Sequence, residues 1–337
     1  MEMMAHQGFR TMFAEGRMTV GLFVPIEAYR GSIPTMHNHL ALARRAEELG
    51  FAALWVRDVP LYDPSFGDVG QIFDPWVYLG VLAAHTRTIA LATGSIVLPL
   101  RHPLHVAKAA ASVDQLTGGR LVLGVASGDR PVEFPAFGLD AEARGERFRE
   151  SFALVHRLNE ERFPDIDSPL GSVHDVDLLP KPVSGKLPML VTGSSRQSME
   201  WIAAQSDGWI TYPRPPAAQS EAIAKWRQLT AEAMPGRFKP IAQSLYIDLA
   251  DDPHTSPIPI HLGFRLGRTV LIDLLRNLET CGVNHVIFNL KYGQRPAGEV
   301  LEELGAGVVP LFPKQEQAAP AIGSAEAEAI PSLLSVE

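Results

Sequence analysis

Only one of the 337 residues is a cysteine, Cys281, so no internal disulfide can form and no thiolate cluster can hold a metal. Basic charge is not in excess either. Thirty Lys and Arg stand against 38 Asp and Glu, a formal charge of −8, and no Lys/Arg-rich run or Arg/aromatic patch opposes it, which argues against a nucleic-acid partner. Long apolar runs are missing. Nowhere do about eighteen apolar residues follow one another without a charge, and the opening stretch MEMMAHQGFRTMFAEGRM lacks the apolar core of a secretory leader. The expectation is a protein of the reducing cytoplasm with no membrane contact. No HExxH pattern or Cys/His cluster occurs, and His37 and His39 straddle a helix start, so no metal site is expected. No glycine-rich dinucleotide fingerprint follows any apolar run.

What is there is an alternation. The run MTVGLFVPI is followed by helical spacing from Pro34 to Leu49, and FAALWVRD by a helix from Asp74 to Thr86. IALATGSIVLP precedes a helix from Pro103 to Leu116, and RLVLGVASG a charged one from Glu142 to Glu161. Four more units follow: LPMLVTGSS, DGWITYP, IAQSLYIDLA and HVIFNLKYG, each with a helix behind it. Continuous apolar strands between helices indicate a parallel sheet covered on both faces, and eight units predict an α/β fold, a (β/α)8 TIM barrel, with a doubly wound open sheet as runner-up. Residues 1–18 read as a polar lead-in, 19–313 as a single barrel domain, and 314–337 as a disordered or weakly docked tail rich in Ala, Glu, Ser and Pro. Two stretches rich in Pro, Gly and Asp, Phe163–Leu187 and Asp251–Arg265, are expected as insertions at the C-terminal face of the strands. Gly118-Gly119 is a turn.

Chemistry in such barrels sits where the strands end. Those ends hold Phe23, the Arg57-Asp58 pair, Gly94-Ser95, Ser127-Gly128-Asp129 and Gly193-Ser194-Ser195 with Arg196 behind them. Serine hydroxyls, an arginine and the N–H groups of a helix start suit a phosphate. The same Ser-Ser pair can also be a plain helix cap. Asp58 can act on a proton or simply pair with Arg57 or Arg101. His102, Tyr212, His254 and His261 are further polar candidates, with His102 set beside Asp58 as a catalytic residue.

The stretch RHPLHVAKAAASVDQLTGGRLVLGVASGD, with ALARRAEELGFAALWVRD before it and VTGSSRQSMEWIAAQSDGWI after it, resembles the luciferase-like monooxygenase superfamily, the bacterial luciferase-type flavin- and F420-dependent oxidoreductases. RDVPLYDPSFGDVGQIFDPWVYLG resembles a subgroup whose substrates are unassigned. The resemblance implies reduced FMN lying across the strand ends, its phosphate between Ser127-Gly128 and Gly193-Ser194-Ser195-Arg196. It also implies a non-proline cis peptide under the ring, at Gly94-Ser95 or Ser95-Ile96. It further implies oxygenation of a small organic substrate by O2 through a C4a-(hydro)peroxyflavin, with a separate NAD(P)H-dependent reductase as partner and a homo-oligomer, dimer or higher. Alternatives are hydride transfer with F420 and a flavin-binding protein without turnover. Luciferases proper carry a histidine after the acid that follows strand two, whereas Val59 follows Asp58 here, which argues against light emission.

Overall fold

Residues on alternate sides of a strand face opposite ways, and in this chain both sides find apolar partners. A computed structural model describes residues 2–66 and 68–315. Its strands β1 Thr19–Phe23, β2 Ala53–Val56, β3 Ala90–Thr93, β4 Leu121–Ala126, β5 Met189–Thr192, β6 Gly208–Thr211, β7 Ile241–Leu249 and β8 His285–Asn289 run parallel in sequence order. β8 pairs with both β7 and β1. The sheet is therefore closed, a TIM barrel and not the open alternative. Outside it lie α1 His39–Glu48, α2 Pro75–His85, α3 Pro103–Thr117, α4 Arg144–Glu160, α5 Met199–Gln205, α6 Pro216–Ala233, α7 Arg268–Cys281 and α8 Ala297–Gly307.

Two cores result. Leu22, Leu54, Leu91, Leu123 and Phe288 point outward against helical Leu79, Val106, Leu271 and Leu301. Phe23, Ala53, Trp55, Ala90, Ala92, Val122, Leu190, Ala242 and Ile287 fill the interior. The alanines leave room for Trp55, and also for the N-terminal segment.

That segment is more than a polar lead-in. A short helix, Gln7–Met12, carries Phe9, Met12 and Phe13 into the interior core. Its N-terminal end is tied by a buried His6–Asp114 contact of 3.0 Å and by Gly8 N–H donating to Gly119 O at 2.8 Å. The N-terminal mouth of the barrel is thus plugged. Gly118 closes α3 in a left-handed conformation, φ 69°, as its turn requires.

The Phe163–Leu187 stretch is not at the C-terminal face of the strands. It joins the end of α4 to the start of β5, along the lower half of α3: Val183 N–H donates to Asp114 Oδ2 at 2.8 Å, and Gln115 donates to Lys181 O at 2.8 Å. Composition marks it as irregular but carries no information on which end of a strand it serves. Asp251–Arg265 does lie at the C-terminal face of the strands, where Ile258–Ile260 and Gly263–Leu266 pair antiparallel beside β7. Of the expected tail, only Lys314 and Gln315 fall within the described residues.

Candidate functional site

The segments that follow the strands wall a cavity of about 940 Å³ on the face opposite the plug. Phe23 enters from β1, Arg57 and Asp58 from β2, Gly94 and Ser95 from β3, and residues 126–129 from β4. Thr192 and the Ser194–Arg196 turn come from β5, Tyr212 from β6, and Ser244 and Tyr246 from β7.

The wall at β3 has no side chain at Gly94, where a Cβ would lie 3.1 Å from Phe23 and 3.2 Å from Trp55. The Gly94–Ser95 peptide is cis, the first of the two expected positions. Ser95 Oγ hydrogen-bonds Thr192 Oγ1, which joins β3 to β5 across the barrel end.

Ser127 and Gly128 face Ser194, Ser195 and Arg196 in the same cavity, with Arg144 beside them. Gly128 has φ 86°, and a Cβ there would press on Val97 at 2.9 Å and Phe134 at 3.1 Å. Only glycine fits that tip. The β5 side differs from its expected form. Residues 193–196 are not the first turn of a helix: Gly193, Ser195 and Arg196 all have positive φ, and α5 starts at Met199 with Ser198 as its cap. Ser195 Oγ donates to Thr192 O at 2.7 Å, which tightens the loop. Gly193 shapes the loop without lining the cavity, its carbonyl accepting from Trp209 Nε1 at 2.9 Å. What this end offers an anion is hydroxyls and two guanidinium groups, not a helix N-terminus.

Asp58 lines the cavity, yet its side chain is only 1% exposed. Arg101 donates to it twice at 2.8 Å, and Val97 N–H once at 3.2 Å. Arg101 also reaches Asp74 at 3.0 Å, and Asp74 caps α2 by accepting from Trp76 and Val77. Of the two anticipated partners, Arg101 and not Arg57 takes Asp58. His102 is absent from the cavity. It caps α3, its exposed ring accepting from Leu104 N–H at 3.3 Å; sitting one residue beyond Arg101, it is turned outward by the helix start. Tyr212 and His261 line the cavity, and the exposed His254 does not.

Several lining residues were not anticipated. Asp68, in the loop between β2 and α2, accepts from Tyr29 Oη at 2.8 Å, Arg57 Nη2 at 2.9 Å and Gly70 N–H at 2.9 Å, and Lys291 Nζ lies 3.3 Å away. Burial alone would raise its pKa, but the Arg57 charge and these hydrogen bonds hold the carboxyl well below the usual carboxylate range. Burial, reinforced by Asp68, drives the Tyr29 phenol far above its ordinary value, and burial pushes Tyr246 up to about 12. Both phenols therefore remain donors. Since Tyr246 lies on β7 and Tyr29, Arg57 and Lys291 come after β1, β2 and β8, only barrel closure brings them to Asp68. Arg130 stacks 4.4 Å over Phe66, while Tyr246 and Tyr292 pack 5.3 Å apart, so this side of the cavity is aromatic and cationic. Glu133, also unanticipated, lines the wall just past the β4 tip. No cluster of potential metal ligands, and no helix long and apolar enough to cross a membrane, occurs among the described residues.

Residues 18–253 match the sequence profile of a family described as luciferase-like monooxygenase. An uncharacterized protein of Mycobacterium tuberculosis is 33% identical over 190 residues, 52% of this chain and 67% of the relative. The 4-hydroxyprotoasukamycin monooxygenase of Streptomyces nodosus subsp. asukaensis is 30% identical over 232 residues, 64% of this chain and 59% of that protein. Among solved structures, an F420-dependent secondary alcohol dehydrogenase superimposes with a TM-score of 0.71 at 18% identity, covering 87% of this chain and 98% of its own. The oxygenating constituent of 3,6-diketocamphane monooxygenase from Pseudomonas putida, in complex with FMN, gives 0.69 at 16% identity with the same coverage. At these identities the structural likeness is one of fold.

Proposed function

Because this chain belongs to the luciferase-like monooxygenase family, we propose that it is a flavin-dependent oxidoreductase that takes up reduced FMN and oxygenates a small organic substrate with O2. The observation that supports this reading is the anion cradle. Ser127 and Gly128 line one cavity with Ser194, Ser195 and Arg196, with Arg144 alongside, and the side-chain-free Gly128 tip turns tightly against Val97 and Phe134 where any Cβ would clash. These residues fit a phosphate: hydroxyls and two guanidinium groups converge, and the ion pair of Arg144 with Glu142 is a long one of 3.7 Å. Phe23, Gly94 and Ser95 would back the ring.

Reduced FMN would supply the two electrons and the reactivity toward O2. The chain's own residues bind, orient and exclude water. Asp58, held by Arg101, fixes the end of β2 against the starts of α2 and α3. Phe66, Tyr246, His261, Leu262 and Tyr292 form the substrate side, where the Asp251–Arg265 insertion folds over the cavity. With no dinucleotide fingerprint in the sequence, reduced flavin would come from a separate NAD(P)H-dependent reductase in the cytoplasm, and the enzyme would act as a homo-oligomer.

Anaerobic titration with reduced FMN, riboflavin and reduced F420 tests the reading. FMN should bind more tightly than riboflavin by roughly 10- to 100-fold, since charge-assisted hydrogen bonds are worth about 1.5–3 kcal/mol each. Binding of F420 with none of FMN would reassign the cavity to hydride transfer.

A further inference from the structure

Glu133 opens a one-turn helix, Glu133–Ala136, just beyond the β4 tip. It is 2% exposed and lines the cavity. The backbone N–H of Leu61, in the β2–α2 loop, steadies its carboxyl, yet Oε1 is sealed from solvent with no hydrogen-bond partner. Buried polar atoms without partners are costly and uncommon in folded proteins, so a structural role explains this one poorly. Arg130, on the same turn, has an Nη1 that is likewise buried and unpartnered. The charged groups acting on Glu133 are Arg130, which favours ionisation, and Asp58 and Asp129, which oppose it. Burial outweighs them all and pushes the carboxyl up to about 7. Glu133 thus lines the cavity with a carboxyl that no protein group engages at Oε1 and that holds a proton near neutral pH, which suits it to proton transfer.

We propose that Glu133 is a catalytic acid of this cavity, giving the proton on its unpartnered carboxyl to oxygen as O2 is reduced there. The inference rests on the flavin reading for the source of electrons. Without organic substrate the balance is FMNH⁻ + O2 + H⁺ giving FMN + H2O2: the flavin anion supplies two electrons and one proton. The second proton leaves Glu133 as its O–H bond breaks and an O–H bond forms on the reduced oxygen. The carboxylate left behind sits beside Arg130 until water restores the proton.

Glu133→Gln keeps the size and removes the proton, and two readouts test it. The first is thermal stability, without flavin or turnover. Between pH 4.5 and about 7 the unfolded wild type is ionised at this residue while the folded protein is protonated. The unfolded state then binds fewer protons, so this residue's contribution to stability is lost as pH rises through that window. Glu133→Gln lacks the loss, and its Tm relative to wild type should climb across the window; a constant difference overturns the proposal. The second is oxidation by O2 of enzyme-bound reduced FMN. Wild type should slow as pH rises through about 7, and Glu133→Gln should be slower by roughly 10²- to 10⁴-fold, flat with pH, and unchanged in its Kd for reduced FMN. An unchanged rate overturns the proposal. Failure of wild type to bind reduced FMN overturns the proton transfer together with the flavin reading, and the Tm comparison then shows by itself whether Glu133 holds its proton.

Discussion

Arg101 grips Asp58 as a fork, Nε to Oδ2 and Nη2 to Oδ1, both at 2.8 Å. Removing one partner of a buried pair leaves the other uncompensated, which costs roughly 3–5 kcal/mol. Arg101 keeps Asp74, so Asp58→Asn should fall at the lower end. We expect a lower Tm, with the oxidation rate per flavin-bound molecule nearly intact. A rate loss of about 10²-fold or more at unchanged Tm would instead make Asp58 an acid–base group.

The cradle predicts a phosphate-specific defect. Ser195→Ala together with Arg196→Ala should weaken FMN binding by roughly 1.5–3 kcal/mol or more while leaving riboflavin binding unchanged. Equal losses for both ligands would mean that the turn shapes the cavity and does not touch the phosphate.

Gly128→Ala should be damaging at the same place. Its φ of 86° costs a side chain about 1–2 kcal/mol, and the new Cβ would also press on Val97 at 2.9 Å. Chemical denaturation should show a stability loss at or above that figure. A neutral substitution would remove the tip's tight fit from the argument.

His285 lies inside the barrel, where burial pushes its pKa down to about 3. Trp55 Nε1 donates to its Nε2 at 3.0 Å, and Thr19, whose hydroxyl donates to Met12 O, accepts from Nδ1 at 2.6 Å. Both ring nitrogens are satisfied only in the neutral form. Below pH 6.5 the unfolded chain takes up a proton that the folded one refuses, so this residue's contribution is lost as pH falls from 6.5 toward about 3. Wild type should lose Tm more steeply than His285→Gln across that range; parallel curves would show that the imidazole does not titrate differently on folding.

Deleting residues 2–13 should prevent folding, or cost several times the roughly 3–5 kcal/mol of one core Phe→Ala change, because Phe9, Met12 and Phe13 are fully buried in the interior core. A truncated protein with wild-type Tm would refute the plug.

The sequence by itself determined the barrel. Eight apolar runs with helices between them leave few ways to bury both faces of a sheet, and local patterning carries that information. It also determined which residues stand at or just past the strand ends, since Phe23, Asp58, Ser95, Ser127 and Arg196 each fall at the end of an apolar run or within four residues of it. Tertiary structure alone decided what those ends do. Whether Asp58 meets Arg57 or Arg101 depends on the direction each side chain leaves its strand, and His102 is turned away because a helix start rotates successive residues around its axis. Asp68 has no local signature: its partners lie on or after four different strands between residues 29 and 291, and closure of the sheet puts them on one carboxylate. The lead-in became a plug for the same reason, because a hollow lined by alanines exists only once the barrel is closed. Glu133 is one acid among 38 acidic residues, and only the wall that buries it separates it from the others.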